Sequence, residues 1–209
     1  MSTVHSGRLH TAAEQTGSAG EFRRRLLDGL VASIAETGYR RTTIADIVRH
    51  ARTSRRTFYE YFPGKDACFT ALITESDADL IDRIYAAVDP GAPWRTQIRQ
   101  AVEAWIASME SAKPIALSWI RDVPSLGTAT RRMQRDAMES FITMVQTLCD
   151  TEEFRAAGVA PVSRQRAIML LGGLRELAAT TVEDGGRISD VTETAVQASI
   201  GLLAPPSTG

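Results

Sequence analysis

From about residue 21 nearly to the end of the chain, apolar residues recur at helical spacing, and no stretch alternates as a strand would. The first predicted helix reads EFRRRLLDGLVASIAETG. In it Phe22, Leu26, Leu30 and Ile34 recur every four residues, Leu27 and Val31 widen the stripe, and Gly38 is placed to end it. A two-turn helix follows in RTTIADIVRHA, where Thr43 and Asp46 have the spacing of a capping box and Ile44, Ile47, Val48 and Ala51 face one way. Thr53 or Ser54 then caps a second short helix that runs to about Tyr61, with Phe58 and Phe62 on its buried side. Pro63 and Gly64 break the pattern, and a long helix carries Phe69, Leu72, Ile73, Leu80, Ile84 and Val88 to the turn DPGAP.

Five more helices are predicted, over about 94–112, 114–123, 128–156, 162–182 and 189–203, with PSLG separating the second of these from the third. The total is nine, so the fold class is all-α. The Gly/Ser/Thr-rich stretch up to residue 20 reads as a flexible arm and residues 205–209 as a disordered tail. Between them, 21–66 form one predicted domain and 67–204 another.

Charge changes this picture more than composition does. The chain has 209 residues, 44% of them hydrophobic, and a formal net charge of −1. That near-neutral total hides an asymmetry. Residues 1–66 hold eleven Lys and Arg against seven Asp and Glu, whereas the remainder is acidic. A basic front on an acidic body suits a polyanionic partner for the front. The two cysteines, Cys68 and Cys149, lie far apart without a CxxC or His-rich context, so neither a disulfide framework nor a metal site is expected. There is no apolar run of signal-peptide or membrane-span type, which makes a cytoplasmic protein the expectation.

The chemistry concentrates in TSRRTFYEYF, residues 53–62. A longer helix, a capped short helix, a turn and an Arg-rich short helix make a helix-turn-helix, whose second helix can lie in the DNA major groove. Arg55 and Arg56 fall in its first turn, where a guanidinium can fork onto guanine O6 and N7 or pair with phosphate. Ser54 and Thr57 can donate hydroxyl hydrogen bonds, Tyr59 can meet the groove edge, Tyr61 can reach a phosphate, and Phe58 anchors the helix. The competing reading is a solvated amphipathic helix whose arginines face water.

Residues 42–69, TTIADIVRHARTSRRTFYEYFPGKDACF, also resemble the DNA-binding signature of TetR-type transcriptional regulators. Thr43, Asp46, Ile47, Ala51, Ser54, Thr57, Tyr59, Tyr61, Phe62 and Lys65 fall in register with that pattern, and Asp66 stands for its usual Glu. The resemblance implies a nine-helix TetR-like architecture, in which a homodimer binds a double-stranded DNA operator through its N-terminal helices and a small molecule through its C-terminal ones. It places Thr43, Tyr61 and Lys65 at phosphate-contacting positions and Arg55, Arg56, Thr57 and Tyr59 on the recognition helix. Three positions depart from it: Arg52 replaces a turn glycine, Thr53 a small apolar residue, and Arg56 a more variable glycine. An Arg at the turn position implies strain if positive φ is needed there.

Beyond residue 70 there is no Ser/His/Asp set, phosphate loop or metal spacing. The three histidines, His5, His10 and His50, all precede it, so neither an enzyme nor a cofactor is expected. Trp105, Met109, Trp119, Phe141 and Met144 are candidate lining for a pocket that takes a largely apolar effector, although residues of this kind are usually plain core. Gly172 and Gly173 lie in the middle of an apolar helix, where each costs about 1 kcal/mol relative to Ala. A close helix–helix contact would offset that cost. Family position makes this helix and the last one a dimer interface, with Arg175 and Glu176 pairing across the axis or pointing into the pocket; an intramolecular core helix is the alternative. The function expected is a ligand-responsive, sequence-specific DNA-binding regulator, a repressor. The rival is a small-molecule-binding helical protein whose N-terminal helices contact protein.

Overall fold

The computed structural model describes residues 7–122 and 128–204, with side chains for 20–122 and 131–204. Ten α-helices lie within them: α1 (Gly7–Thr37), α2 (Ile44–His50), α3 (Arg55–Tyr61), α4 (Lys65–Ala87), α5 (Trp94–Ser111), α6 (Lys113–Arg121), α7 (Thr128–Leu148), α8 (Glu152–Ala156), α9 (Arg164–Glu183) and α10 (Thr192–Leu203). A 3-10 turn, Ile188–Val191, precedes α10. The tail at 205–209 and the PSLG turn at 124–127 lie outside the described residues.

Three boundaries differ from expectation. Helix α1 starts at Gly7, fourteen residues before the predicted onset, so most of the stretch expected as an arm is helical. Its AAEQ run consists of strong helix formers, which a reading based on apolar spacing does not register. The single helix expected over 128–156 is two, because the chain turns at Asp150 and Thr151 before α8, turning Phe154 into the core at 1% exposure. Among the described residues there are therefore ten α-helices, one more than the nine expected.

The chain forms two compact units, Met1–Leu72 and Ile73–Gly209, divided within α4. In the first, Leu26, Leu27, Leu30 and Ile34 of α1 are buried together with Ile47, Val48, Phe58, Phe62 and Phe69. Helices α1 and α2 cross closely enough that a Cβ on Gly29 would lie 2.6 Å from the Ile47 carbonyl oxygen. Only a residue without a side chain permits that approach.

In the second unit α5, α7, α9 and α10 surround one apolar core that includes Ile98, Trp105, Ile142, Val145, Leu171 and Val196. Two polar devices fix its loops. The buried Gln97 amide donates to the carbonyls of Pro90 and Ala92, holding the turn before α5. The Glu110 carboxylate accepts from the backbone N–H of Ile188 at 2.6 Å and of Ser189 at 3.4 Å, capping the 3-10 turn. No described helix is long and apolar enough to cross a membrane.

Candidate nucleic-acid interface and interior cavities

Both short helices begin as their sequences require. Thr43 caps α2 in a complete capping box: the Asp46 N–H donates to Thr43 Oγ1, and the Asp46 carboxylate accepts from the Thr43 N–H at 3.0 Å and its hydroxyl at 2.6 Å. These bonds hold the Asp46 carboxyl below its usual range. Ser54 caps α3, accepting from the Thr57 N–H at 3.0 Å. Thr53, the other candidate, instead donates its N–H to the Val48 carbonyl.

That bond belongs to the turn joining the helices. Arg52 has φ = 49°, in the left-handed region, and donates its N–H to the Arg49 carbonyl, while Thr53 donates to Val48. Together these are the paired hydrogen bonds of a Schellman motif with arginine where glycine is usual. The strain is countered from α1. Arg25 donates to the Ala51 carbonyl from Nε and Nη2, at 3.1 and 2.6 Å, and to the Arg52 carbonyl at 2.8 Å. Its position in an Arg-rich run of a predicted helix gave no sign of this task.

The outer face of α3 carries the expected groups. Ser54, Arg55 and Arg56 are exposed, the Arg56 side chain by 91%, and Tyr59 stands 58% exposed over the buried Phe58. Arg56 lies 3.4 Å from Glu60, a solvent-screened pair that competes little with a polyanion. Thr57 and Tyr61 are half-buried beside them.

Thr43 and Lys65 have structural tasks. The Lys65 ammonium donates to the carbonyls of Tyr39 and Thr42, both at 2.9 Å, and lies 4.4 Å from the centre of the Tyr39 ring. Tyr39, at 1% exposure, stacks on Phe69 and donates its hydroxyl to Asp66. The first turn of α4 thus clasps the loop between α1 and α2, through a tyrosine that apolar periodicity did not mark.

In the second unit, Trp105, Met109, Trp119 and Phe141 line one cavity of about 50 Å³. Met144 faces a neighbouring apolar cavity of about 70 Å³, which Trp105 also borders. Arg175, named with the dimer helix, lines the first cavity together with Asp77. Burial pushes the Asp77 carboxyl up to about 7, against the nearby Arg175 charge. Cys149, on the apolar cavity, is pushed by burial up to about 12 and is therefore not a reactive thiolate.

Gly172, Gly173 and Glu176 lie exposed on α9, beside Met169 at 65%. A Cβ on either glycine would meet nothing within 4 Å. Outside α9, no described part of the chain comes within 4 Å of such a Cβ, although α9 buries Ala167, Leu171, Ala178 and Ala179 on its other side. Glu176 is engaged within the chain: Arg121 forks onto it at 2.9 and 3.0 Å and onto Glu183 at 2.6 and 2.8 Å.

Residues 26–72, which contain the whole clasped helix-turn-helix, match the family of bacterial regulatory proteins called tetR. That segment is a helix-turn-helix of the tetR type. The HTH-type transcriptional regulator BetI 2 of Chromohalobacter salexigens is 30% identical over 101 residues, 47% of this chain, and the chain spans about half (48%) of that relative's length. The structure is similar to that of the fatty acid degradation regulator FadR from Bacillus halodurans, with a TM-score of 0.75 and 18% identity over 86% of this chain and 95% of that one. FadR from Bacillus subtilis, in complex with stearoyl-CoA, gives a TM-score of 0.74 and 16% identity over 86% and 97%. At such identities the likeness is one of fold. Within the tetR pattern, Arg52 keeps the left-handed turn conformation that its usual glycine provides.

Proposed function

We propose that this protein is a tetR-family, sequence-specific DNA-binding transcriptional regulator, a repressor that a small molecule releases from a near-palindromic operator. The carrying observation is the first turn of α3, where Ser54, Arg55 and Arg56 are exposed on a helix capped at its start and held at its turn by Arg25. Rigid presentation of two guanidinium groups suits base-edge and phosphate contacts. Tyr59, Thr57 and Tyr61 flank them. Thr43 and Lys65 serve the interface by fixing α2 and the loop before it.

The exposed α9 face with Met169, Gly172 and Gly173 supports a homodimer through α9 and α10. A second copy would give the two glycines the close contact that this chain does not. A dimer sets two recognition helices in successive major grooves, about 34–36 Å apart. The apolar cavities support an effector with a substantial hydrocarbon part, and the stearoyl-CoA held by the B. subtilis FadR is such a ligand. Effector and DNA would then oppose each other through one coupling free energy.

Fluorescence anisotropy on DNA from upstream of the protein's own gene, against a scrambled duplex across a salt series, tests this reading. The upstream fragment is expected to bind more tightly, with log affinity falling steeply with log salt. Arg55→Ala or Arg56→Ala is expected to cost about 1–3 kcal/mol on the operator and relax specificity at one position. Absence of binding at every salt concentration would leave the helix-turn-helix as a protein-contact scaffold.

A further inference from the structure

Three spaces lie in a row through the second unit. An open cleft of about 610 Å³ is bordered by Thr74, Asp82, Arg132 and Asp136. Asp77 and Ala137 are shared between this cleft and the 50 Å³ cavity behind it. Trp105, Leu171 and Leu174 are in turn shared between that cavity and the apolar one. The sequence of environments is polar mouth, ionisable neck, hydrocarbon end.

The neck holds two polar atoms without partners. Asp77 Oδ2 and Arg175 Nε are shielded from solvent, and neither makes a hydrogen bond within the structure. Their side chains feel each other's charge but are not hydrogen-bonded to each other. Buried polar atoms are nearly always paired, and leaving a donor and an acceptor unpaired beside the same cavity is costly. A bound group that donates one hydrogen bond and accepts another would satisfy both. Resting on the effector reading above, we propose that this site takes an uncharged amphiphile. Its head, of amide type, gives an N–H to Asp77 and a carbonyl to Arg175, while its hydrocarbon chain displaces Trp105, Leu171 and Leu174 to enter the apolar cavity.

The charges select against other heads. A carboxylate gains from Arg175 but faces Asp77, and an ammonium gains from Asp77 but faces Arg175. An ester pairs with Arg175 and leaves Asp77 bare. Asp77, Asp82 and Asp136 outnumber Arg132 around the mouth, which disfavours a polyanionic head such as the phosphates of a coenzyme A thioester. The apolar cavity, lined by residues such as Ile98, Val102 and Leu148, suits the chain and nothing charged.

Calorimetric titration of the full-length protein at about pH 8.5, where Asp77 is ionised, without DNA, with decanamide, decanoate, decylammonium and methyl decanoate tests the head directly. Decanamide is expected to bind at least tenfold more tightly than each of the others. In Asp77→Leu its affinity is expected to fall about tenfold while that of methyl decanoate, which uses Arg175 alone, is retained. This contrast within one variant separates lost recognition from lost folding, which circular dichroism monitors. Equal or tighter binding of decanoate, decylammonium or the methyl ester overturns the proposal, as does binding by none of the four. Anisotropy on operator DNA, with the same compounds added, keeps the two readings apart. Preferred decanamide that does not release DNA sustains the head group and sinks the effector role, whereas release by decanoate or decylammonium at lower concentration does the reverse.

Discussion

Arg52 shows how a residue that breaks a local rule is accommodated. A non-glycine residue in the left-handed region costs about 1–2 kcal/mol, and Arg25 supplies charge-assisted hydrogen bonds to the carbonyls on either side of the distorted position. Arg52→Gly is expected to raise the stability of the first unit by about 0.5–1 kcal/mol, since relief of strain exceeds the added chain entropy. Thermal unfolding by far-UV circular dichroism measures it, and a lowered midpoint would show that the Arg52 side chain contributes more than its backbone costs. Asp77 gives a pH signature in the second unit. Its carboxyl has a folded pKa near 7 against an ordinary 3.8. Below about pH 4 it is protonated in both states, and between about 4 and 7 only the folded state keeps the proton. Stability therefore falls as pH rises through that window and is level above it. Urea midpoints followed by tryptophan fluorescence, all three tryptophans being in this unit, should drop between pH 5.5 and 8 in the wild type. In Asp77→Asn they should stay level, with a gain of about 1–3 kcal/mol at pH 8. The strained turn position was legible from the sequence, because a motif marks it. Neither Arg25 nor Asp77 was, because their roles depend on which carbonyl or cavity the fold brings beside them.

At the scale of elements, apolar spacing located the helices well and their junctions less well. It found α2 and α3 because caps, turn and buried Phe58 all agree over a few residues. It ran α7 and α8 together because neither Gly nor Pro marks the turn at Asp150 and Thr151. It passed over Gly29 because an isolated glycine inside a helix says nothing about what crosses above it. The α1–α2 approach makes that glycine decisive. Gly29→Ala places a methyl group against the Ile47 carbonyl and the backbone of Ala51. It is expected to destabilise the first unit by about 1–3 kcal/mol and to weaken DNA binding on every sequence alike. Circular dichroism melts with anisotropy on operator and random duplexes check both effects. An undisturbed melt would mean that α1 and α2 slide apart at little cost. The five cavity-lining residues were legible as bulk and aromaticity, but their partition between two cavities was not, and the carboxylate–guanidinium neck brings together Asp77 and Arg175, about a hundred residues apart in sequence.

For the whole molecule, assembly is the largest expectation still to be measured. Gly172→Glu puts a charge on the exposed α9 face at a position where an added Cβ meets nothing within 4 Å. It should turn a dimer into a monomer by multi-angle light scattering, leave the circular dichroism spectrum unchanged, and lower operator affinity; a persistent dimer would move the interface off α9. The length of α3 bounds the information it could take from DNA. Seven residues of α-helix rise about 10 Å, the height of about three stacked base pairs. Two copies in the proposed dimer would read roughly six base pairs, a pattern that chance supplies about once in four thousand positions, against a genome offering about a million or more competing sites. Base reading by α3 alone leaves hundreds of equivalent addresses. On the proposed reading, the distinction among them would come from the stiffness and groove width of the DNA between and beside the half-sites, and targets would be better sought by DNA shape than by matching letters.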